Sequence, residues 1–366
     1  MLQKIGLLAL AACCALSASS AHSANTTAHV ERSVLQMARS GFQECPTAPA
    51  MPEDRRDDKS VLKFATYNAE FLFLVGYGQL HCPGSDCKWT TVSEAQSHVK
   101  QIAKNIVSIN ADIVQLNEVE DCAVLRMLVA EIAALGDNSY RPYLVRGEDA
   151  STGQNSALIT RIDPAEDLYH SDVKVELPVE NSKCPPASKF SKSKGVSKHF
   201  RTSFNVEGFS KPITLIGAHL LANPQHKGRC YEREGQATVL NGLATDALEQ
   251  DHHVIMSGDF NDFSLSATDK NDNRPISNAL GIMEGPGFVN AGKFAAKAQR
   301  YTQWWDKNKD CVFEPTEVST LDHVILSETL TSSVKSVEYR TDLYEASCGG
   351  FNSDHFPITV TFEPEH

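Results

Sequence analysis

The chain has 366 residues, 41% of them hydrophobic, and its 46 acidic against 34 basic side chains leave a formal net charge of −12. That is enough apolar material for one large domain or two ordinary ones. The acidic balance excludes stable packaging of nucleic acid by charge alone, but not an enzyme that turns over a polyanion at a metal, where the ion supplies the local positive charge.

Residues 1–24 read as a secretory signal: Lys4 near the start, an apolar stretch from Ile5 to Leu16, then small residues through Ala24. The stretch is too short to span a membrane, and no later one is long enough, so no transmembrane segment is expected. Cleavage is expected after Ala21, Ser23 or Ala24. The alternative is a lipoprotein anchored through Cys13, because Leu10-Ala11-Ala12-Cys13 has the form of a bacterial lipoprotein box. So early a cysteine leaves a very short apolar core, which favours soluble export to a secreted or periplasmic location. Residues 25–60 are polar, with Pro46, Pro49, Pro52 and a charged run from Glu53 to Lys59. They read as a mature N-terminal extension, partly loose and tied by Cys45.

From residue 61 to the end, strands and helices alternate without a repeat or a linker, which predicts one α/β domain over 61–366. Val61 to Tyr67 alternates like a strand and delivers Asn68 and Glu70 at its end. Residues 76–91 form a loop. Val99, Ile102, Ala103 and Ile106 mark an amphipathic helix. A strand from Asp112 to Leu116 leads into Asn117-Glu118, and Leu125, Leu128, Val129 and Ile132 mark a helix that stops at Gly136. Tyr143 to Val145 and Ala157 to Thr160 read as strands. Residues 180–200 break the pattern and predict an insertion or long loop; from Lys183 to Arg201 there are five lysines, one arginine and no acid. A strand from Ile213 ends at His219, and a helix covers about Arg233 to Leu248. Val254, Ile255 and Met256 form a buried strand that exits through Gly258 into Asp259, Asn261 and Asp262. Residues 264–310 are loop-rich. Leu321 to Leu326 is a strand carrying Asp322, and Ser353-Asp354-His355-Phe356-Pro357 introduces the last strand, Ile358 to Phe362.

Beyond the signal stand eight cysteines: Cys45, Cys82, Cys87, Cys122, Cys184, Cys230, Cys311 and Cys348. An even number in an exported chain predicts disulfides, whose pairing is not legible in sequence. Cys82 and Cys87 flank Pro-Gly-Ser-Asp and suit a small closed loop. A zinc site would want a tight Cys-x-x-Cys or Cys-plus-His cluster, which is lacking.

Asn68, Glu118, His219, Asp259, Asn261, Asp322, Asp354 and His355 all follow or sit within apolar strands, and strand ends on one sheet edge bring distant residues together. Singly, Asn68, Asp259 and Asp354 read equally well as turn formers, Asp322 as a partner for a backbone amide and His219 as a core histidine. Jointly they make a coherent inventory. Carboxylate and amide oxygens suit a hard cation such as magnesium (or manganese), and imidazoles trade protons near neutrality. That combination suits cleavage of a phosphate ester.

Six segments carry a resemblance: Thr66-Tyr67-Asn68-Ala69-Glu70, Leu116-Asn117-Glu118-Val119, Gly217-Ala218-His219-Leu220, Ser257-Gly258-Asp259-Phe260-Asn261-Asp262, Leu321-Asp322-His323 and Ser353-Asp354-His355-Phe356-Pro357. Together the chain resembles the endonuclease/exonuclease/phosphatase superfamily, the group of pancreatic deoxyribonuclease, abasic-site endonucleases, bacterial sphingomyelinases and inositol polyphosphate 5-phosphatases. The motifs keep the family's order across residues 62–362. The resemblance implies a four-layer sandwich, with two mixed β-sheets face to face and helices outside. It implies that Glu118 binds the catalytic divalent metal with Asn68 beside it and Asp354 near. Asp259 would orient or activate the attacking water, and Asn261 would steady the pentacovalent phosphate. His355 and His219 would contact the phosphate and handle protons, with Asp322 holding the ring of His355. Asn155 and Arg161, in Asn-Ser-Ala-Leu-Ile-Thr-Arg, match a segment that meets the substrate backbone. One departure concerns His219: the deoxyribonuclease branch pairs its first histidine with a glutamate, and none stands between Asn155 and Arg161. No role is assigned to His252, His253 or His323.

Asp306, Asn308, Asp310 and Glu317 have the spacing of a calcium loop, but Cys311 stands where glycine is wanted and Pro315 interrupts it. The competing reading is a charged surface loop stapled by Cys311. The resemblance specifies the phosphate ester better than the leaving group. With export, nucleic acid is the substrate expected, tracked in part by the basic stretch Lys183–Arg201. The alternatives are a sphingomyelinase-like phosphodiesterase or phosphatase, whose membrane contact Trp304-Trp305 would have to supply, and a non-catalytic binding module on the same fold. No stable protein partner is implied.

Overall fold

The structure is a computed structural model, and it describes residues 43–74, 88–343 and 350–364. In chain order its elements are β1 (Leu62–Leu72), α1 (Val92–Ile109), β2 (Ile113–Val119), α2 (Cys122–Ala134), β3 (Arg141–Tyr143), β4 (Asn155–Thr160), β5 (Val175–Glu176), β6 (Ser193–Lys194), β7 (His199–Phe204), β8 (Ile213–His219), α3 (Lys227–Glu249), β9 (His253–Asp259), α4 (Ala279–Met283), β10 (Phe288–Asn290), β11 (Gln303–Trp304), β12 (Val318–Ser319), β13 (Asp322–Ser327), β14 (Val334–Tyr339) and β15 (Ile358–Phe362).

Two mixed sheets dominate. The first has the order β14-β15-β1-β2-β4-β3 and the second β10-β13-β9-β8-β7. Each is built on one parallel pair, β1 with β2 and β8 with β9, and their other neighbours run antiparallel. A parallel pair needs a crossover, and helices supply it: α1 joins β1 to β2, and α3 joins β8 to β9. The sheets bury their inner faces against each other. Leu62, Phe64, Ile113, Leu158 and Val360 from one meet Phe200, Phe204, Leu215, Ile255 and Val324 from the other. The outer face of the first sheet carries α1 and α2 through Val99, Ile102, Ile106, Leu125 and Leu128. That of the second carries α3 and α4 through Val239, Leu240, Ala244 and Leu280. The result is helix, sheet, sheet, helix.

Local chemistry sets the boundaries. Thr91 and Glu94 form a reciprocal capping box that starts α1, and Asn110 closes it in the left-handed region. Asp121 caps α2 by accepting from Ala123 N and Val124 N. Gly258 has φ +137°, and a Cβ there would stand 1.9 Å from the Ala218 carbonyl, so β9 can lie beside β8 only with glycine at this point.

Three features differ from the sequence expectation. The stretch from 180 to 200 is not a bare loop: it carries β6, which pairs back with β5 just before the stretch, and Cys184 is bonded to Cys230 at the start of α3. Phe200, Thr202 and Phe204 then make β7, a strand whose inward alternation was obscured by the surrounding lysines. Residues 43–60 lie against the first sheet rather than loose: Cys45 is bonded to Cys122, Asp54 pairs with Ile162, and Arg55 donates to Asp163 at 2.8 Å. The suggested Cys82–Cys87 pair and Cys348 lie outside the described residues, and Cys311 is disulfide-bonded.

Candidate active site

The parallel pairs point their C-terminal ends at one rim, and antiparallel β13 and β15 begin there. In the second sheet this makes a lateral row, because His219 of β8 pairs with Asp259 of β9, which pairs with Asp322 of β13. In the first sheet Asn68 of β1 pairs with Asn117 of β2, one residue before Glu118. The face-to-face packing sets these rows opposite each other. Asn68 Nδ2 donates to Asp259 Oδ2 at 3.0 Å and to Glu118 Oε1 at 3.2 Å, so one amide joins the two sheets. His219 Nε2 is 3.6 Å from Asp259 Oδ2 and 4.0 Å from Glu118 Oε1. His355 Nε2 is 3.9 Å from Asp259 Oδ2, and its Nδ1 meets Asp322 Oδ2 at 2.7 Å. Asp354 Oδ1 is 4.0 Å from His355 Nε2.

Backbone conformation aims these groups. Glu70, Glu118 and Asn261 all have positive φ, at 45°, 63° and 49°, an unfavourable region for residues with a Cβ. The strand ends twist there so that consecutive side chains turn toward one centre. Asp259 Oδ1 accepts from Asn261 N at 2.9 Å, Asn261 Nδ2 donates to Leu220 O at 3.2 Å, and Glu118 Oε2 accepts from Phe71 N at 3.0 Å. Behind them His98, buried on α1, spans from the Ala69 carbonyl to the Phe351 carbonyl at 2.7 Å each. It ties the end of β1 to the segment that carries Asp354 and His355.

Electrostatics follow from burial. Asp259 is pushed up to about 7, first by burial and then by the neighbouring Asp322 carboxylate. Glu118 is also raised by burial. His219 is held well below the ordinary histidine value by burial and by the nearby charges of Lys198 and His355. His355 is buried, which disfavours its charge, yet Asp322 and Asp354 outweigh that and raise it well above 6.5. Their surroundings thus bias the two imidazoles in opposite directions, His219 toward the neutral form and His355 toward the cationic one.

Two residues of this centre received no role from sequence. Glu70 Oε2 accepts from Asp354 N at 2.9 Å and Oε1 pairs with Lys88 at 2.6 Å. Burial and the Asp354 carboxylate push it up to about 8. Its signal was the Asn68-x-Glu70 spacing at a strand end. Lys198 sits just before β7, half-buried, with Nζ 3.1 Å from Gln154 Oε1 and with Glu118 and Asp259 among the charges it feels. Burial lowers it, opposed by those carboxylates. It was legible only as one lysine of a basic run.

Four expectations need correction. Arg161 is not at this rim. It lies beyond the opposite end of β4, where it pairs with Asp137 at 2.7 Å and Asp112 at 3.3 Å and packs over Tyr140. Asn155 is at the rim end of β4, but its amide is occupied, accepting from Gly147 N and donating to the carbonyls of Val119, Glu120 and Gly153. Asn68 turns its oxygen to Glu70 N at 3.0 Å, so it bridges carboxylates rather than offering that oxygen outward. The 306–317 loop does not gather a cage: Glu317 turns inward to Trp304 Nε1 and Lys307 N, while Asn308 and Asp310 bond each other.

The carboxylates Glu70, Glu118 and Asp354 are the residues suited to a hard divalent cation. Glu70 lies within the fields of the other two. Single oxygens or nitrogens of Glu118, His219 and Asp259 lie within 4.8 Å of one another, as do those of Asp259, Asp322 and His355. Buried carboxylates raised toward neutrality are the mark of an acidic cluster short of positive charge, so the donor set fits such an ion.

No protein-family model and no curated protein sequence matches the chain. Solved structures do. An AP endonuclease from Archaeoglobus fulgidus is similar at TM-score 0.53 and 13% identity, covering 82% of this chain and 99% of that one. An endonuclease/exonuclease/phosphatase from Bacteroides vulgatus is similar at TM-score 0.52 and 19% identity, over 84% of this chain and 100% of that one. A protein of the same family from Leptotrichia buccalis is similar at TM-score 0.50 and 16% identity, over 82% and 99%. With the same two mixed sheets and outer helices, this chain has the endonuclease/exonuclease/phosphatase fold.

Proposed function

We propose that the chain is an exported phosphodiesterase that depends on a divalent metal and hydrolyses nucleic acid. One observation carries the reading: the Asp322–His355 pair and the Asn68-linked carboxylates Asp259 and Glu118 face each other across one sheet rim, with His355 Nε2 3.9 Å from Asp259. Glu70, Glu118 and Asp354 would hold Mg2+ or Mn2+. When bound, the ion supplies Lewis-acid polarisation of a phosphoryl oxygen and offsets leaving-group charge. Asp259, raised toward neutrality and oriented by Asn68 and Asn261 N, suits a base that positions the attacking water. His355, kept cationic by Asp322, donates to the charge that builds on the phosphoryl oxygens. Asn261 and neutral His219 add polar contacts beside it, and Lys198 adds a cation. Export is supported by the Cys45–Cys122 and Cys184–Cys230 disulfides. Among the described residues no helix is long and apolar enough to cross a membrane.

The test is a panel of plasmid DNA, RNA, sphingomyelin and bis(p-nitrophenyl) phosphate, each with MgCl2 and with EDTA. DNA or RNA should be cut with magnesium only, and Asp259→Asn or His355→Ala should lose on the order of 10²–10⁴-fold in kcat. Undiminished turnover in both variants would discard this site. A second reading, a phospholipid phosphodiesterase, is favoured by Trp305. That side chain is 58% exposed, next to Trp304, whose backbone N–H donates to the Asp354 carbonyl. Cleavage of sphingomyelin with no attack on nucleic acid would select it.

A further inference from the structure

The segment between β5 and β6 does not wander. Cys184 is bonded to Cys230, Phe190 stacks on Tyr231 with ring centroids 4.2 Å apart, and Ser191 Oγ donates to Glu232. Gly228 has no room for a Cβ, which would stand 2.9 Å from the Lys189 carbonyl. Residues 184–192 therefore lie along the first two turns of α3. That brings Lys183, Lys189 and Lys192 of the segment beside Lys227 and Arg229 of the helix. The four lysines are exposed, and none has a carboxylate partner among the described residues. The acids on this part of α3 are occupied: Glu232 pairs with Lys194 at 2.9 Å, and buried Glu234 accepts from Lys183 N and Asn278 N.

The cations also lead to the site. Arg229 Nη1 donates to the carbonyl of Ala222, three residues past His219, and its charge is felt by Lys198. The Lys198 carbonyl in turn accepts from His219 N at 2.9 Å. In a chain of net charge −12, Arg229 thus links the exposed lysines of this segment to Lys198 beside the site. Phe190, 38% exposed and stacked on Tyr231, adds a flat apolar face among them, and Ser188, Ser191 and Ser193 intersperse short hydroxyls. Cations, hydroxyls and an aromatic face are what a sugar–phosphate backbone with unstacked bases requires. An anionic membrane surface would also attract these lysines, but the segment forms no amphipathic helix to bury in it, and its aromatic, Phe190, is stacked on Tyr231.

We infer that residues 183–198, stapled to α3, form a track for single-stranded nucleic acid that feeds the phosphodiester toward Asp259 and His355. This rests on the proposed function and specifies its substrate. The test uses the whole mature protein and a triple variant, Lys189→Gln with Lys192→Gln and Lys227→Gln, none of them a residue of the catalytic centre. The probe is a fluorescent 30-mer of single-stranded DNA, bound in EDTA and read by anisotropy across a salt series. Wild type should bind with steep salt dependence. The variant should bind about tenfold or more weakly, its slope of log K against log salt smaller by about 2, from three phosphate contacts at roughly 0.7 each. Turnover of bis(p-nitrophenyl) phosphate with magnesium should be unchanged. Equal affinity and equal slope in variant and wild type would overturn the track while leaving the phosphodiesterase reading standing. So would lysine-dependent uptake by phosphatidylserine/phosphatidylcholine vesicles with no binding of the 30-mer. Lysine-dependent binding without any cleavage of nucleic acid would instead sink the nuclease reading and keep the surface. A Lys→Glu triple, weaker still, guards against a fold artefact.

Discussion

Asp322 illustrates what a single side chain does here. It is buried, it holds His355 Nδ1 at 2.7 Å, and its second oxygen has no partner among the described residues. Its charge is a reason His355 is raised well above the ordinary histidine value. Asp322→Asn keeps the shape and removes that charge, so kcat for bis(p-nitrophenyl) phosphate should fall on the order of 100-fold or more with little change in KM. A variant with wild-type kcat would mean His355 needs no carboxylate. His219 differs, since its Nδ1 has no partner among the described residues. The missing glutamate was visible in sequence as a gap between Asn155 and Arg161. His199 gives a pH prediction of its own. Its Nδ1 meets Val196 O at 2.7 Å and its Nε2 accepts from Ser171 N at 3.1 Å, a pattern only the neutral ring satisfies. Burial lowers it from 6.5 to about 4. The unfolded chain takes up that proton first, so stability is intact above about pH 6.5 and is lost as pH falls toward 4. The loss is on the order of 3 kcal/mol. Urea midpoints measured from pH 7 to pH 4 should show the fall, and His199→Gln should flatten it; an unflattened curve would assign the effect elsewhere.

Elements decide which residues can meet. The segment Asn155 to Arg161 looked like one functional motif, yet it spans all of β4, and a strand rising ~3.3 Å per residue carries its ends about 20 Å apart. Arg161 therefore serves Asp112 and Asp137 at the far edge. Glu70 shows the opposite case. A lone glutamate past a strand reads as solvated, but the left-handed turns at Glu70 and Phe71 send it inward to Asp354 N. The Cys184–Cys230 staple, with a sequence separation of 46, should contribute roughly 4 kcal/mol if its effect is the entropy of the unfolded chain. Cys184→Ser with Cys230→Ser should lower the urea midpoint accordingly. An unmoved midpoint would mean the hairpin docks without its bond.

At the scale of the molecule, the two sheets act as jaws whose facing rims hold one acidic centre. Besides burial, carboxylates in that centre raise one another, Asp354 and Glu118 acting on Glu70 and Asp322 on Asp259. Magnesium should therefore raise Tm, with a gain of about 2.7 kcal/mol when it stands at a hundred times its Kd. Glu118→Gln should abolish that gain, as read by calorimetry with MgCl2 and with EDTA. Equal shifts in both proteins would place the ion away from Glu118.

Taken alone, the sequence determined the alternation of strands and helices and the polar residue at each strand end, because periodicity and strand-terminal chemistry are local. The Asn68, Glu118, Asp259 and Asp354-His355 segments were legible for that reason. Tertiary structure decided which ends share a rim, that Glu70 and Lys198 turn inward, and that the lysine-rich stretch is pinned to α3. Those outcomes depend on sheet order, on positive-φ turns and on a disulfide between residues far apart, none of which leaves a period in the chain.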